Sequence, residues 1–272
     1  MGAIVRAFDT RPEVKDQVES LDGEFLMLGG YTVVVSTNHG VNLWVAMLIL
    51  APLVVGVIGI IVERALIQFL YGRMVDTLLA TWGLSLLFIG LVTTIFGAQT
   101  GTTISPPLGA VRIGDYSMST YELLLIAIAA LLSLAVFAVL RLTRLGLMAR
   151  ATMQSADMAS TLGVSTKRIY MITFGLGAAV SGLAGGLLAP LTGVLPTIGA
   201  TYIAKAFITV ISGGAAILAG TVSASVLLGG INGVMSYLTG PTIGEVALLA
   251  AAIVLLRLMP RGITGRYFRK SL

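Results

Sequence analysis

The stretch VNLWVAMLILAPLVVGVIGIIV, Val41 to Val62, runs for 22 residues without a charge. As an α-helix it would be about 33 Å long, which matches the ~30 Å hydrocarbon core of a bilayer. In hydrocarbon every backbone N–H and C=O must be paired inside the protein, and a helix achieves this within one segment. Further apolar runs follow at Val75–Phe96, Tyr121–Leu140, Ile169–Leu191, Tyr202–Leu238 and Glu245–Met259. The run from Tyr202 is too long for one crossing, and Gly213-Gly214 divides it. Phe25–Ser36 is short and carries Gly29-Gly30, so a broken or half-inserted helix is expected there. Pro52 predicts a kink in its span. Ser119 with Glu122, and Thr242 with Glu245, predict capping boxes. The expected fold class is all-α: a polytopic helical membrane protein of about seven or eight membrane segments, some broken at glycines. A charged fraction of 11%, against about a quarter in soluble domains, agrees.

Basic residues fix the expected orientation. Arg64 and Arg73 flank one loop, and Arg141, Arg144, Arg150, Lys167 and Arg168 crowd another. Arg257, Arg261, Arg266, Arg269 and Lys270 end the chain, whereas residues 97–120, 192–201 and 239–244 hold only Arg112. Short loops rich in Lys and Arg stay in the cytoplasm, so loop 141–168 and the C-terminus are expected there. The net charge of +5 is accounted for by these loops, and nucleic-acid binding is not expected. Three regions are expected: a polar segment 1–23, a transmembrane domain 24–260, and a basic cytoplasmic tail 261–272. Residues 1–24 mix both signs of charge and lack the apolar core of a signal peptide. Thr10 and Glu13 there predict the start of a short surface helix.

Loop 141–168 is long, since connections are usually about 4–6 residues. Within it SADMASTLG offers Ser155 as a helix cap and Gly163 as a left-handed terminator. Met158 and Leu162 fall on one face, with Arg150, Asp157 and Ala159 nearby. Such a short helix either docks into a groove on a partner or rests on lipid, and its residues alone favour neither.

Little in the chain points to catalysis. Cysteine is absent, His39 is the single histidine, and no phosphate-binding loop or hydrolase motif occurs, so no enzyme activity and no metal site are expected. Glu63, Asp76, Glu122 and Glu245 read as span-end residues, and Lys205 as a snorkelling lysine, while Glu24 stays open as a functional carboxylate. Thr81, Trp82, Ser85, Thr209 and Asn232 form a candidate polar path for a solute, although interhelical bonding explains each singly. Gly182, Gly185 and Gly186, and Gly229 and Gly233, are spaced for close helix packing.

The segments GEFLMLGGY, DTLLATWGLSL, ADMASTLGVSTKRIYMITFGLGAAVSGLAGG and MPRGITGR occur in order between Gly23 and Arg266. Together they resemble the permease subunits of bacterial ATP-binding-cassette importers for branched-chain amino acids, and TLLATWGLSL is more similar to the urea-type branch. The resemblance implies import of branched-chain amino acids or of urea and short amides across the bacterial inner membrane. It also implies a second permease of the same family, two cytoplasmic ATP-binding subunits, and a periplasmic or extracellular solute-binding protein. No cofactor is implied in this chain, since ATP would sit on the partners. Residues 155–163 would be the helix that docks on an ATPase. Family members have a further span before the Gly-Glu motif and a histidine where Asp22 stands, so residues 1–23 read as unlike the family. A stand-alone channel or secondary carrier, or an inactive truncated or assembly subunit, are the alternatives.

Overall fold

The computed structural model describes residues 15–70, 74–97, 109–113, 116–214, 217–259 and 262–263. The helices are α1 (Lys15–Asn38), α2 (Leu43–Leu70), α3 (Met74–Phe96), α4 (Thr120–Leu142), α5 (Arg144–Gln154), α6 (Ala156–Thr161), α7 (Thr166–Thr192), α8 (Ile198–Gly213), α9 (Ile217–Thr239) and α10 (Pro241–Leu258). Six of them, α2, α3, α4, α7, α9 and α10, are long and apolar enough to cross a membrane, and α8 is a shorter apolar helix. The protein is thus a polytopic helical membrane protein. One hairpin departs from the all-α expectation: β1 (Ala110–Ile113) pairs antiparallel with β2 (Tyr116–Ser119), Ala110 opposite Ser119. The predicted helix start at Thr10–Glu13 and the tail from Arg266 lie outside the described residues.

The chain forms two compact units, one through Tyr202 and the other from Ile203. In the first, α7 packs along both α1 and α2, and its small residues make this possible. A Cβ on Gly29 of α1 would strike the backbone of Gly182, and one on Gly185 would strike the carbonyl of Leu26. A Cβ on Gly182 would fall 2.6 Å from Cβ of Val55, and one on Gly186 would press Val33 and Ala51. Gly29-Gly30 therefore does not break α1, correcting the broken-helix reading: helix continues to Asn38, because the glycines are the contact surface of a packed helix. Around this seam Leu21, Phe25, Val55, Phe174 and Ala178 form one buried cluster, and Met27, Tyr31, Val34, Ala189 and Val194 another.

Pro52, where a kink is expected, lies just after a change of helix type. A π-helical turn, Ala46–Leu50, precedes it, and Pro52 lies in the first turn of the α-helical stretch that follows. The missing N–H is thereby placed where the hydrogen-bond ladder is already changing register. A second π-turn spans Glu63–Ile67. Glu63 is buried there, 2% exposed, rather than lying at an interface as expected.

In the second unit, α9 packs on α10 around Leu228, Leu248 and Ala252. Gly213 ends α8 and Gly214 has φ +80°, so the expected division falls at this pair. Neither capping box forms. Ser119 makes no side-chain cap bond, and α10 starts at Pro241 after Gly240, which puts Thr242 inside the helix.

Candidate functional site

Two places in the first unit concentrate polar chemistry. One is a buried carboxylate between α1 and α3. Glu24 is 3% exposed, and the Ser85 hydroxyl donates to its Oε1 at 2.5 Å, while Oε2 has no hydrogen-bond partner. Thr81, one turn before Ser85, is also buried, and its hydroxyl donates to the Thr77 carbonyl at 2.9 Å. Ser85 and Thr81 share a helix face because they are four apart. Trp82 lies off that face and is 64% exposed, so the structure does not bring it to Glu24. A neighbouring pair was missed in the sequence: Asp22 of α1 lies beside Ser181 of α7. Burying a carboxylate is costly unless it finds partners, and the serine of α3 supplies one to Glu24.

The other place is the connection from α4 to α7. It opens with a turn that only glycine fits, since a Cβ on Gly146 would meet the carbonyls of Val139 and Leu140. Thr143 caps α5 by accepting from the Gly146 N–H at 3.1 Å. The Arg150 Nε donates to the Gly146 carbonyl at 3.3 Å. Ser155 then caps α6, accepting from the Met158 N–H at 3.2 Å. At its far end Gly163 has φ +83°, its N–H donates to Ser160, and Val164 N–H donates to Ala159, both at 3.0 Å. This paired closure is a Schellman motif, which needs the left-handed residue that glycine supplies. Ala159 is buried against the protein, Asp157 is exposed, and Met158 and Leu162 are 70% and 84% exposed. The helix thus presents two large apolar side chains outward.

The remaining candidates lie in the second unit. Thr209 donates to the Lys205 carbonyl at 2.8 Å, and Asn232 Oδ1 accepts from Ser236 at 3.2 Å beside Gly244. Gly229 and Gly233 face open space, so they form no close seam among the described residues, unlike Gly182, Gly185 and Gly186. Lys205 does not simply snorkel: its Nζ pairs with Glu245 Oε1 at 2.7 Å. The signal was available, because Lys205 is the sole charge of α8 and Glu245 the sole acid of α10. Among the described residues no group of three or more His, Cys, Asp or Glu could hold a metal ion.

Comparison with known proteins agrees with this architecture. The chain is 36% identical over 138 residues to the high-affinity branched-chain amino acid transport system permease protein LivH of Escherichia coli K12, covering 50% of this chain and 44% of that protein. It is 32% identical over 125 residues to BraD of Pseudomonas aeruginosa, a permease protein of the same description, covering 46% and 41%. A probable LivH of Methanocaldococcus jannaschii is 26% identical over 166 residues, covering 57% and 53%. The chain thus matches over about half the length of these relatives. No solved structure matches. The family model described as the permease component of the branched-chain amino acid transport system matches residues 22–259. From buried α1 to the last membrane helix, then, the chain belongs to the branched-chain amino acid transport permease family.

Proposed function

We propose that this chain is the membrane-spanning subunit of an ATP-driven importer, working in the cytoplasmic membrane with a second permease subunit, two ATP-binding subunits and an external solute-binding protein. The observation that carries this reading is α6, a helix capped at both ends that exposes Met158 and Leu162 while burying Ala159. A six-residue helix with two outward apolar side chains is suited to a groove on a cytoplasmic partner, where ATP would be hydrolysed. Arg150, Asp157 and the Gly163 terminator complete the coupling segment. The carboxylate of Glu24, with Ser85 and Thr81, is the polar contact for cargo in the first unit, and Thr209 and Asn232 supply hydrogen-bonding groups in the second. Branched-chain amino acids are the favoured cargo, because the named relatives transport them. Urea and short amides are the alternative.

Proteoliposomes holding this subunit, its partner permease, both ATP-binding subunits and the binding protein test the reading with labelled leucine and labelled urea. Leucine accumulation that needs both ATP and the ATP-binding subunits is the expected result. Urea accumulation would reassign the cargo. Equilibration without ATP would replace the importer by a channel.

A further inference from the structure

An aliphatic cleft lies where the α4–α5 turn meets the first turns of α7. Val139, Leu140, Leu145, Ile169, Ile172 and Leu176 line it, and it measures about 310 Å³ including the space open to its surroundings. Thr173 also borders it, but its hydroxyl is turned to the backbone carbonyls of Ile169 and Tyr170, at 2.7 and 3.0 Å. Val139 and Leu140 belong to the last turn of one span, and Ile169 and Ile172 to the first two turns of another. The cleft therefore sits at the adjoining ends of two candidate spans.

Its rim is basic. Arg141, Arg144, Arg150, Lys167 and Arg168 are all exposed, and residues 141–168 contain one acid, Asp157. Arg144, Lys167 and Arg168 make no hydrogen bond or ion pair among the described residues. Arg150 is held at the cleft by its bond to the Gly146 carbonyl, and Arg141 lies 5.4 Å over the Phe137 ring. Four of the five cations are arginines, whose planar fork suits phosphate oxygens better than a lysine does. An aliphatic groove at the membrane boundary with a cationic rim matches one molecule with both properties.

We propose that this cleft binds an anionic phospholipid of the adjoining leaflet. One acyl chain lies against Leu140, Ile169, Ile172 and Leu176, and the headgroup phosphate sits among Arg144, Arg150 and Arg168. Basic pockets between membrane helices recognise such headgroups through charge, while the chain is held by apolar contact. The site shares Arg150 with the proposed coupling segment, but Met158 and Leu162 do not line it.

Native mass spectrometry of the full chain in neutral detergent, with matched phosphatidylglycerol and phosphatidylcholine added in equal amounts, tests it. Wild-type protein should retain phosphatidylglycerol selectively. The R144Q/R150Q double variant should lose about 30-fold in that preference, taking each basic residue near an anionic headgroup at ~1 kcal/mol. An I172W/L176W variant, which fills the groove but keeps every charge, should also lose the bound lipid. Equal retention of both lipids by wild type, or unchanged retention by either variant, overturns the site. Displacement of phosphatidylglycerol by inorganic phosphate alone would assign the arginines to a free anion. Loss of ATP-binding subunits from R144Q/R150Q with lipid retention intact would assign them to protein docking. Either result would also reject the lipid site.

Discussion

A single hydrogen atom in place of a methyl group decides how α1 and α7 meet. An alanine at Gly185 would drive its Cβ into the backbone carbonyl of Leu26, which cannot move aside as a side-chain tip can. G185A should therefore lose about 1–3 kcal/mol of stability, read as a lower unfolding midpoint in detergent. G229A meets nothing within 4 Å, so it should hold or slightly raise the midpoint of the isolated subunit, as alanine favours helix over glycine. The small residues were visible in the sequence at helical spacing, but spacing alone did not separate Gly182 and Gly185, which touch another helix, from Gly229 and Gly233, which do not. That distinction depends on which helices are neighbours. The same holds for Glu24. Its place in an apolar run marked it, yet its partner Ser85 is 61 residues away. S85A leaves a buried carboxylate oxygen without its donor and should cost roughly 1–3 kcal/mol. E24Q keeps an acceptor for Ser85 and should be milder in the same unfolding measurement. A midpoint for S85A equal to that of wild type would show that the bond contributes nothing.

At the scale of one element, α6 was the most legible part of the chain. Ser155, Gly163 and the apolar pair at i and i+4 are local signals, and a six-residue helix is built from local hydrogen bonds. The capping boxes at α4 and α10 were read with the same rules and do not form: Ser119 holds the N-cap position without a side-chain bond, and Gly240-Pro241 starts α10 early. The exposed faces of Met158 and Leu162 give a direct test of α6. Burying each at an interface is worth at most about 1.5–3 kcal/mol, before the cost of ordering. M158D/L162D should insert and fold normally, fail to co-purify with the ATP-binding subunits, and lose substrate-stimulated ATP hydrolysis. Normal co-purification, with weaker adhesion of this segment to lipid vesicles, would instead identify a helix that rests on the membrane surface.

At the scale of the whole molecule, the distribution of Lys and Arg leads us to propose that loop 141–168 faces the cytoplasm and the loop at His39 the outside. Because the chain has no cysteine, single introduced thiols report sidedness. An impermeant maleimide added outside intact cells should label H39C and spare S160C, both exposed positions. The reverse pattern would invert the topology. Long apolar runs made α2, α4 and α7 readable without a structure, since length and hydropathy are properties of one segment. Helix α1 was not readable in this way: it is absent from the six self-sufficient spans, and its burial comes from other helices. That dependence sets a timetable. The glycine seam joins Gly29 to Gly182, so α1 emerges from the ribosome long before its partner exists. At ~5–20 residues per second, roughly 150 residues of further synthesis keep it waiting about 8–30 s. During that interval the glycine face of α1 must be sheltered by the insertion machinery or by the membrane surface, although Glu24 meets Ser85 of α3 sooner, and assembly of the first unit is completed only when α7 arrives.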